Sequence, residues 1–503
     1  MRALDLAIIA IFLVGTPILG ILLGGKQKSS NDYFVGSRKV PWWAVTFSVV
    51  ATETSTLTVL SVPTVAYLGN ITYLQLAIGY LIGRVVVAFV LLPKYYAGNL
   101  VSAYGFLGKR FGGALQGTAS VTFLVTRLLA DGVRLFATAI PVKLVLDGLG
   151  LDVSYWVIIA AIALVAVIYT YFGGIRAVIW VDVVQMGIYV AGAIVAIFVL
   201  IGELPSGWFG QLADEGKFQL FEFGSDIITD QYAFVTAVVG GALFAMASHG
   251  ADQLMVQRLL ACKDVRDSQK AVIASGVVVF IQFAIFLLVG ALLWSFYDGQ
   301  SPEDMGLSNP DDLFASYIIN ELPAGLSGIL IAGILAAAMS TISSSLNSLS
   351  TSTIADLYER FTKKKIPDTV LLKQAKLWTL VWAVVFVVFA SMFTSSDTPV
   401  VELGLSIASY TYGALLGAFF LGMLVKKARQ LDALIAFVCT IAVSAVFVLG
   451  VEFTVDGEAL PLAFPWYVPI GVVVTLVVGG LLSLRHRGPD PRTVEPAKEE
   501  EPV

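Results

Sequence analysis

One apolar stretch of the chain decides how its fold is interpreted, and it reads SVVATETSTLTVLSVP over residues 48–63. Its many hydroxyl side chains, together with Glu53 and Pro63, make a poor continuous lipid-facing helix but a good broken one. Unwound backbone at mid-membrane is tolerated where it lines a cavity, and its freed carbonyl groups can then coordinate a cation. The stretch therefore predicts an interrupted membrane helix beside an ion or solute site.

A second candidate for interruption lies within residues 232–257. There the pair Gly240-Gly241 and the sequence Ser248-His249-Gly250 interrupt an otherwise apolar run. The two interrupted spans are five apart in the predicted order, and an odd separation gives them opposite directions across the membrane. This relationship is what an inverted repeat of five plus five helices requires.

The composition of the 503 residues is that of a membrane protein. Hydrophobic residues make up 57% of the chain and charged residues 13%, whereas about a quarter of a soluble domain is charged. The apolar residues form runs of roughly 18 to 27, enough to cross a bilayer. The two cysteines offer no disulfide framework and no metal-ligand cluster. We therefore predict an all-α polytopic membrane protein.

About thirteen membrane spans are predicted from hydropathy. They lie near residues 4–24, 41–68, 72–96, 118–146, 153–172, 179–203, 232–257, 271–297, 322–355, 368–394, 398–425, 431–451 and 463–484. Every second loop is rich in lysine and arginine, and Arg258 is counted in the basic loop after the seventh span. Because basic loops favour the cytoplasm, we expect the N-terminus outside and the C-terminus inside.

The chain is expected to form a single transmembrane domain over residues 1–484. Residues 485–503 carry four prolines and the acidic run Glu499–Glu501, so we predict a disordered cytoplasmic tail. The absence of a Walker motif argues against an ATP-driven pump. No combination of nucleophile, base and metal ligands points to an enzyme, and we expect no nucleic-acid partner.

A second polar stretch, AAAMSTISSSLNS over residues 336–348, closes a long apolar run that opens near Leu326. In a helix its spacing places five small residues on one stripe, namely Ala337, Ser340, Thr341, Ser344 and Ser348. Such a stripe can line an ion site. It can equally let two membrane helices pack closely, with the hydroxyls bonding back to their own helix. The pattern alone leaves both interpretations open.

Charged residues within the spans are functional candidates, because each costs roughly 2.5–3.5 kcal/mol to insert at the membrane centre. Asp182, about one helical turn into its span, can bind a cation or pair with Arg176. Arg127, Asp131 and Arg134 share one helix face. The first two can pair and leave Arg134 for an anionic partner, or all three can form a structural network.

His249 is the only histidine within a predicted span. Near pH 7 it can serve as a proton site, or it can be a hydrogen-bonded structural residue. The other intramembrane ionisable residues, to which the sequence gives no role, are Glu53, Arg84, Asp252 and Glu402.

Four motifs are shared with a known family. They are Ala51-Thr52-Glu53-Thr54-Ser55, the run from Gly173 to Gln185 with its Trp180-Val181-Asp182, Asp252-Gln253 with Val256-Gln257-Arg258, and the serine stretch of residues 336–348. Through them the chain, from Asp32-Tyr33-Phe34-Val35-Gly36 to about Arg429, resembles the sodium:solute symporter family. That family includes bacterial galactose, proline and sialic-acid transporters and the animal glucose and iodide symporters.

The resemblance implies a LeuT-type inverted five-plus-five repeat, with one helix before the ten core helices and two after them. The two core repeats would cover residues 41–203 and 232–425. Carried over from the family, a first sodium site takes the carbonyls of Ala51, Thr54 and Ala337 and the hydroxyls of Ser340 and Thr341. Sodium is a hard cation that suits such neutral oxygen ligands.

A second sodium site, as in the sialic-acid members, would use Asp182, Ser340, Ser343 and Ser344. The resemblance therefore implies two sodium ions per solute. The substrate site it implies comprises Ser55, Thr56, Thr58, the position of Gly79 and, within a residue or so of alignment, Arg134. Gly79 stands where sialic-acid members carry a glutamine, and Glu53 stands where the compared members have a neutral side chain. Arg134 favours an anionic or zwitterionic solute.

The function predicted from these observations is sodium-coupled symport. We expect a monomer in the plasma membrane, or in the inner membrane of a bacterium, that imports a small polar organic solute by alternating access with Na+ as coupling ion. Two alternatives stay open from the sequence. One is a proton-coupled carrier of the same fold that uses Asp182 or His249, and the other is a solute sensor that does not transport.

Overall fold

The computed structural model describes residues 3–148, 152–307, 309–362, 366–393, 400–455 and 457–493, and it is mostly helical. Within these residues the helices are α1 (Ala3–Gly24), α2 (Ser30–Val35), α3 (Trp42–Glu53), α4 (Thr56–Leu68), α5 (Leu74–Val86), α6 (Leu92–Ala97), α7 (Tyr104–Phe111), α8 (Gly113–Gly148), α9 (Tyr155–Glu203), α10 (Trp208–Asp214), α11 (Gly241–Gly250), α12 (Gln253–Leu259), α13 (Val265–Phe296), α14 (Asp312–Asn320), α15 (Leu326–Ser352), α16 (Glu359–Thr362), α17 (Asp368–Ser391), α18 (Val400–Leu424), α19 (Gln430–Gly450) and α20 (Tyr467–Ser483). The strands β1 (Glu452–Val455) and β2 (Glu458–Pro461) form one antiparallel hairpin. The predicted helical class is confirmed, with this hairpin as a small addition.

The predicted break in the second span is present. Helix α3 ends at Glu53, Thr54 and Ser55 have extended backbones, and the two helical segments on either side are bent by 65°. Ser55 then caps α4, because its hydroxyl accepts the N–H of Thr58 while Thr58 Oγ1 accepts the N–H of Ser55. Reciprocal capping by two hydroxyl residues explains why this sequence restarts a helix so soon after ending one.

The second predicted interruption is present at the Ser248-His249-Gly250 sequence and not at the Gly240-Gly241 pair. These glycines are helical, and a β-carbon at Gly240 would clash with Pro465, so the glycine permits close packing instead of a break. The helix ends at Gly250, and the backbone of Asp252 is extended. The side-chain carboxylate of Asp252 accepts the N–H of Leu254 at 2.8 Å. Asp252 therefore caps α12 and fixes the position of the break.

Predicted spans five and six both lie within α9, a 49-residue run of helix whose backbone is not helical at Gly174. Gly174 bends this helix with φ 55°, and a β-carbon there would lie 2.9 Å from the carbonyl oxygen of Tyr33. A single glycine with a positive φ thus separates the two predicted spans, where the sequence suggested a short loop.

Nine described helices are long and apolar enough to cross a membrane, or ten when α3 and α4 count as one span. This number is lower than thirteen, partly because α9 covers two predicted spans. Helix α8, although 36 residues long, is not among the nine.

Helix α15 lies at the centre of the bundle. All but two of its 27 residues are buried, including a continuous run from Leu330 to Ser352. Its small residues let neighbouring helices approach closely; a β-carbon at Gly333 would lie 3.0 Å from Cα of Tyr189 on α9. Its first turn is capped from α1, because Asp5 Oδ1 accepts the N–H groups of Gly325 at 2.7 Å and Gly328 at 3.0 Å.

The first residues of the predicted disordered tail contact the helices of the bundle. Arg485 and His486 contact the buried carboxylate of Asp432 at 2.6 and 2.8 Å, and the N–H of Asp490 donates to Lys426 O at 2.9 Å. Residues 485–493 are therefore packed against the helix ends, because paired charges offset their polarity. Residues 494–503 of the predicted tail and the side chain of Glu402 lie outside the described residues.

Candidate functional site

The carboxylate of Asp182 is fully buried where α3, α9 and α15 meet. Its Oδ2 accepts the hydroxyl of Ser48 and its Oδ1 accepts the hydroxyl of Ser340, each at 2.6 Å. The predicted pairing with Arg176 is not what the structure shows, since Arg176 is exposed at the surface of the bundle. Asp182 is instead the polar centre of a three-helix junction.

The cationic partner of Asp182 is Arg258 on α12. Its Nη2 lies 3.6 Å from Asp182 Oδ2, and neither side chain is exposed. The guanidinium also donates to Ser48 Oγ at 3.1 Å, to Leu254 O at 2.7 Å and to Ser344 Oγ. Buried charges need partners of this kind, because both desolvation and unmade hydrogen bonds are costly. Arg258 was assigned to a basic loop by its position after a span, so its place in the site could not be read from that rule.

The four residues of the predicted second sodium site lie in one connected network. Ser343 Oγ donates to Ser340 O at 3.1 Å, and Ser344 Oγ lies 3.2 Å from Thr52 Oγ1. With Asp182 they present only oxygen atoms, the donor type that a hard cation prefers. Among the described residues no cluster of three or more histidine, cysteine or acidic side chains forms an alternative metal site. The residues therefore fit sodium, in a site whose carboxylate already has an arginine partner.

The residues of the predicted first sodium site also supply oxygen atoms that suit sodium. In a continuous helix the N–H of Ser55 would bond to the carbonyl of Ala51, but here it donates to Thr58 Oγ1 at 3.3 Å. The break thus releases the Ala51 carbonyl from its usual partner. On α15 the hydroxyl of Thr341 donates to Ala337 O at 3.1 Å, which holds two of the predicted ligands side by side. Ser340 belongs to both predicted sites.

Of the predicted substrate residues, Ser55 and Thr58 line the break as the reciprocal cap of α4. The hydroxyl oxygen of Thr138 lies 3.0 Å from Thr56 Oγ1 and 2.8 Å from the carbonyl oxygen of Arg134, so its one hydrogen can bond to either. The structure therefore brings the backbone of Arg134 close to the start of α4. Its Nη1 donates to the buried Asp131 at 3.1 Å, while a fifth of the arginine side chain stays exposed.

Gly79 has a packing role. A β-carbon there would lie 2.5 Å from Val238 O, so α5 contacts the backbone before α11 directly. A glutamine at this position would not fit between these segments as they are packed here.

Arg127 forms the structural part of the charge network on α8. Its guanidinium binds Asp252 and the hydroxyl of Tyr412, and it lies 3.6 Å from Asp131. The predicted pair with Asp131 is present, but the closer partner is Asp252, the residue that caps α12. Arg127 therefore ties α8 to the second break, and Arg134 is the partly exposed member of the group.

Glu53 ends α3 and is paired within the protein. Its Oε2 accepts Nη2 of the fully buried Arg84, and Arg84 Nη1 donates to Ser275 Oγ at 2.9 Å. His249 Nε2 lies 3.7 Å from the same Oε2, and its other ring nitrogen lies 2.8 Å from Ser248 Oγ. A carboxylate at a helix C-terminus is unfavourable, and Arg84 compensates for it.

A broken helix packed against a hydroxyl-rich buried helix, with released carbonyls and a buried carboxylate at the junction, is the arrangement of an ion-coupled secondary transporter. The sequence model of the sodium:solute symporter family matches residues 33–439. The chain belongs to this family. The predicted resemblance is confirmed.

Similar proteins cover almost the whole chain. The sodium/sialic acid symporter NanT of Aliivibrio fischeri is 30% identical over 474 residues, which cover 92% of this chain and 90% of the relative. The sodium/sialic acid symporter SiaT of Proteus mirabilis is 29% identical over 491 residues and covers 95% of both. These relatives are sodium-coupled transporters, in agreement with the prediction of Na+ as coupling ion and of a protein that is not an enzyme.

A solved structure shares the fold. It is described as a substrate-bound outward-open state of a Na+-coupled sialic acid symporter that reveals a novel Na+ site. It matches with a TM-score of 0.85 and 25% identity over 97% of this chain and 99% of that one. The fold of this chain is therefore that of a sodium symporter.

Proposed function

We propose that this protein is a symporter that imports a small organic anion or zwitterion together with two sodium ions. The observation that carries this proposal is the bond between Ser340 and Asp182 at 2.6 Å. Ser340 is a predicted ligand of both sodium sites, so its contact with the carboxylate connects the two. Each ion then influences the oxygen atoms of the other site, which is a physical basis for coupling.

The solute class rests on Arg134. Its guanidinium is partly exposed and donates to Asp131 at 3.1 Å, and its backbone carbonyl is linked through Thr138 to Thr56 at the start of α4. A partly exposed guanidinium suits a carboxylate, which it can bind through two parallel hydrogen bonds. Two relatives are named for sialic acid, itself an anionic solute, which agrees with an anionic group on the solute. Glu53 and Gly79 are the departures that favour a solute other than sialic acid.

The break in the first core helix supplies the moving part. Helix α4 is joined to α3 through two extended residues, so one half can turn while the other stays packed. A bound cation offsets the negative end of α3 and the released carbonyls, and it favours the form in which they converge. The hydroxyls of Ser55, Thr56 and Thr58, next to those carbonyls, then orient the solute.

The remaining features follow from the family. We propose a LeuT-type inverted repeat with core repeats at 41–203 and 232–425, about thirteen spans, the N-terminus outside and the C-terminus inside. We also propose that the protein is a monomer and that it crosses the plasma membrane, or the inner membrane of a bacterium, several times. Residues 1–484 would form one transmembrane domain.

Two experiments test this function. A thermal-shift screen of the purified protein against carboxylates, amino acids, sugars and polyols, in sodium and in potassium, should give a ligand that raises the melting temperature only in sodium. Uptake of that ligand into proteoliposomes should then stop when choline replaces external sodium. Uptake that continues in choline with a pH gradient would overturn sodium coupling, and binding without flux would indicate a sensor.

The number of ions is tested by the sodium dependence of uptake. Transport with two sodium ions predicts a Hill slope near two for the sodium dependence of uptake. Replacing Asp182 with alanine should lower this slope toward one. A slope near one in the original protein, unchanged by Asp182→Ala, contradicts the second site.

A further inference from the structure

An open groove lies at one end of α13, where this helix meets the start of α3 and the π-helical turn Val87–Leu91 that follows α5. Its volume is about 530 Å³. Basic and apolar side chains line it together, among them Arg266, Lys270, Trp42, Phe89 and Ile273. None of these residues belongs to the predicted sodium or substrate sites. The groove therefore combines positive charge with exposed apolar surface in a part of the molecule that has no role so far.

The exposed side of α13 changes from basic to apolar along its length. Arg266 and Lys270 are exposed, and the half-buried Ile273 and the exposed Val277 and Ile281 follow them. These residues are three or four positions apart, which places them in one line on a helix. At 1.5 Å per residue, the line from the lysine to its last isoleucine is roughly 16 Å long. A basic end followed by such an apolar line matches a phospholipid, with its headgroup at one end and its acyl chain along the rest.

The opposite wall of the groove runs alongside α13. Gln269 Nε2 donates to Ala88 O at 3.0 Å, and a β-carbon at Gly276 would lie 2.8 Å from the side chain of Leu81. Seven residues forward on α13 thus correspond to seven residues back towards α5, so the two walls are antiparallel and in contact over two turns. Phe89 is 62% exposed on this wall. It belongs to the π-helical turn, a rare element that often marks a functional site.

Trp42 indicates that the groove lies at the edge of the membrane. It is the first residue of α3 and is 37% exposed. The N–H of Val40 donates to Ala261 O at 3.2 Å, which holds this end of α3 against the segment before α13. Tryptophan is enriched where membrane helices meet the lipid headgroups. Because the segment before α13 is one of the basic loops, the groove opens on the side predicted to be cytoplasmic.

The positive charges of the groove are only partly balanced by carboxylates. Lys270 Nζ lies 3.5 Å from Asp267 Oδ1. Asp264 caps α13, where its carboxylate accepts the N–H of Asp267 at 2.9 Å. Arg266, in contrast, forms no ion pair within the part of the chain that the structure describes. A guanidinium can bind a phosphate through two parallel hydrogen bonds, and the lysine beside it adds a second positive charge.

We propose that this groove binds one anionic phospholipid of the adjacent leaflet. Arg266 and Lys270 hold the phosphate of the headgroup, and an acyl chain lies along the apolar line of residues 273–281. Basic pockets between membrane helices on the cytoplasmic side recognise acidic headgroups in this way. The lipid also contacts the start of α3, the half of the broken helix that carries the carbonyl of Ala51. The inference goes beyond the proposed symport and does not depend on sodium coupling.

The test follows the melting temperature of the purified full chain in neutral detergent as dioleoyl-phosphatidylglycerol is added. A lipid that binds the folded chain raises this temperature, and dioleoyl-phosphatidylcholine, which has no net charge, should give a much smaller rise. Arg266→Gln with Lys270→Gln should need roughly tenfold more phosphatidylglycerol for the same rise. Glycerol 3-phosphate, a soluble ester of the same phosphate chemistry, should have no effect. An equal rise with glycerol 3-phosphate would indicate a site for free phosphate and overturn the lipid proposal.

Lys426→Gln with Lys427→Gln is the matched control. Both lysines are exposed in another basic loop, so this variant removes the same charge without altering the groove. Its response to phosphatidylglycerol should equal that of the unaltered chain. An equal loss of response in the two double variants would show attraction to the overall surface charge and overturn a specific site.

A second measurement uses the unaltered basic residues and tests contact with the lipid directly. Bromine atoms on an acyl chain quench the fluorescence of a tryptophan that they touch. Brominated phosphatidylglycerol should quench the chain more than brominated phosphatidylcholine does, and most of this difference should disappear in Trp42→Phe. Equal quenching by the two lipids, or a difference that is as large in Trp42→Phe, contradicts the proposal.

Discussion

Arg258 and Asp182 form an ion pair in the interior of the protein, with 3.6 Å between Nη2 and Oδ2 and no exposure of either side chain. Asp182 and Ser344, two predicted ligands of the second sodium site, are also partners of this guanidinium. The arginine and a sodium ion in the proposed second site would therefore share the same oxygen atoms. We expect Arg258 to set how strongly that proposed site attracts a cation.

Replacing Arg258 with glutamine should leave Asp182 as an uncompensated buried charge. Breaking a buried pair in this way costs about 3–5 kcal/mol. Because sodium can then supply the missing positive charge, we expect a large fall in melting temperature in choline and a much smaller one in sodium. The double variant Asp182→Asn with Arg258→Gln should be more stable in choline than Arg258→Gln alone. An equal loss in choline and sodium would show that Arg258 has no connection with ion binding.

Replacing Thr341 with valine should weaken the first sodium site. The hydroxyl of Thr341 is buried beside Ala337 O at 3.1 Å, and valine keeps its shape without its oxygen. We expect the sodium concentration for half-maximal thermal stabilisation to rise roughly tenfold. This is the lower end of the loss in metal affinity that follows when a residue supporting a metal site is removed.

Ser348→Ala is the control for this change on the same helix stripe. The Ser348 hydroxyl donates to Ser345 O of its own helix at 3.1 Å, the local bond expected of a packing residue. Its removal should leave the sodium response as it was. An equal effect of both variants would favour a packing role for the whole stripe.

Arg134 should govern affinity for the solute and leave sodium binding intact. Once a transported carboxylate has been identified, Arg134→Gln should raise its KM by roughly tenfold or more, because a hydrogen bond to a charged group contributes about 1.5–3 kcal/mol. The sodium-dependent thermal shift without solute should persist. Lys143→Gln, further along α8 where the lysine pairs with the exposed Asp152 at 2.9 Å, should change neither quantity. A solute KM unaffected by Arg134→Gln would remove this residue from the substrate site.

The sequence predicted the parts of the site that depend on local chemistry. The hydroxyl-rich segment around Thr54 and Ser55 does interrupt a helix, because those side chains cap the backbone that the break exposes. The contact between Asp182 and Ser340 was predicted from the family resemblance, because residues 158 positions apart have no local signal in the sequence.

Arg258 was misplaced because the charge rule treats a basic residue after a span as a loop residue. The break at Asp252 instead turns α12 inward, a tertiary feature that hydropathy does not report.

The family resemblance marks Glu53 as a charged residue where the compared members are expected to have a neutral side chain, and its bond to Arg84 explains how the fold tolerates it. Replacing Glu53 with glutamine leaves the guanidinium of Arg84 without its carboxylate in a fully buried position. We expect a loss of about 3–5 kcal/mol in unfolding free energy, measured as a fall in melting temperature in detergent.

The double variant Glu53→Gln with Arg84→Met should recover most of the stability lost in Glu53→Gln, because neither charge then remains buried alone. His249→Gln serves as the comparison, since His249 Nε2 is 3.7 Å from Glu53, beyond hydrogen-bond distance. Its effect on stability should be smaller than that of Glu53→Gln. If the double variant is no more stable than the single one, Glu53 does more than neutralise Arg84. Its carboxylate, next to Ala51 and Thr54, would then contribute directly to the ion site.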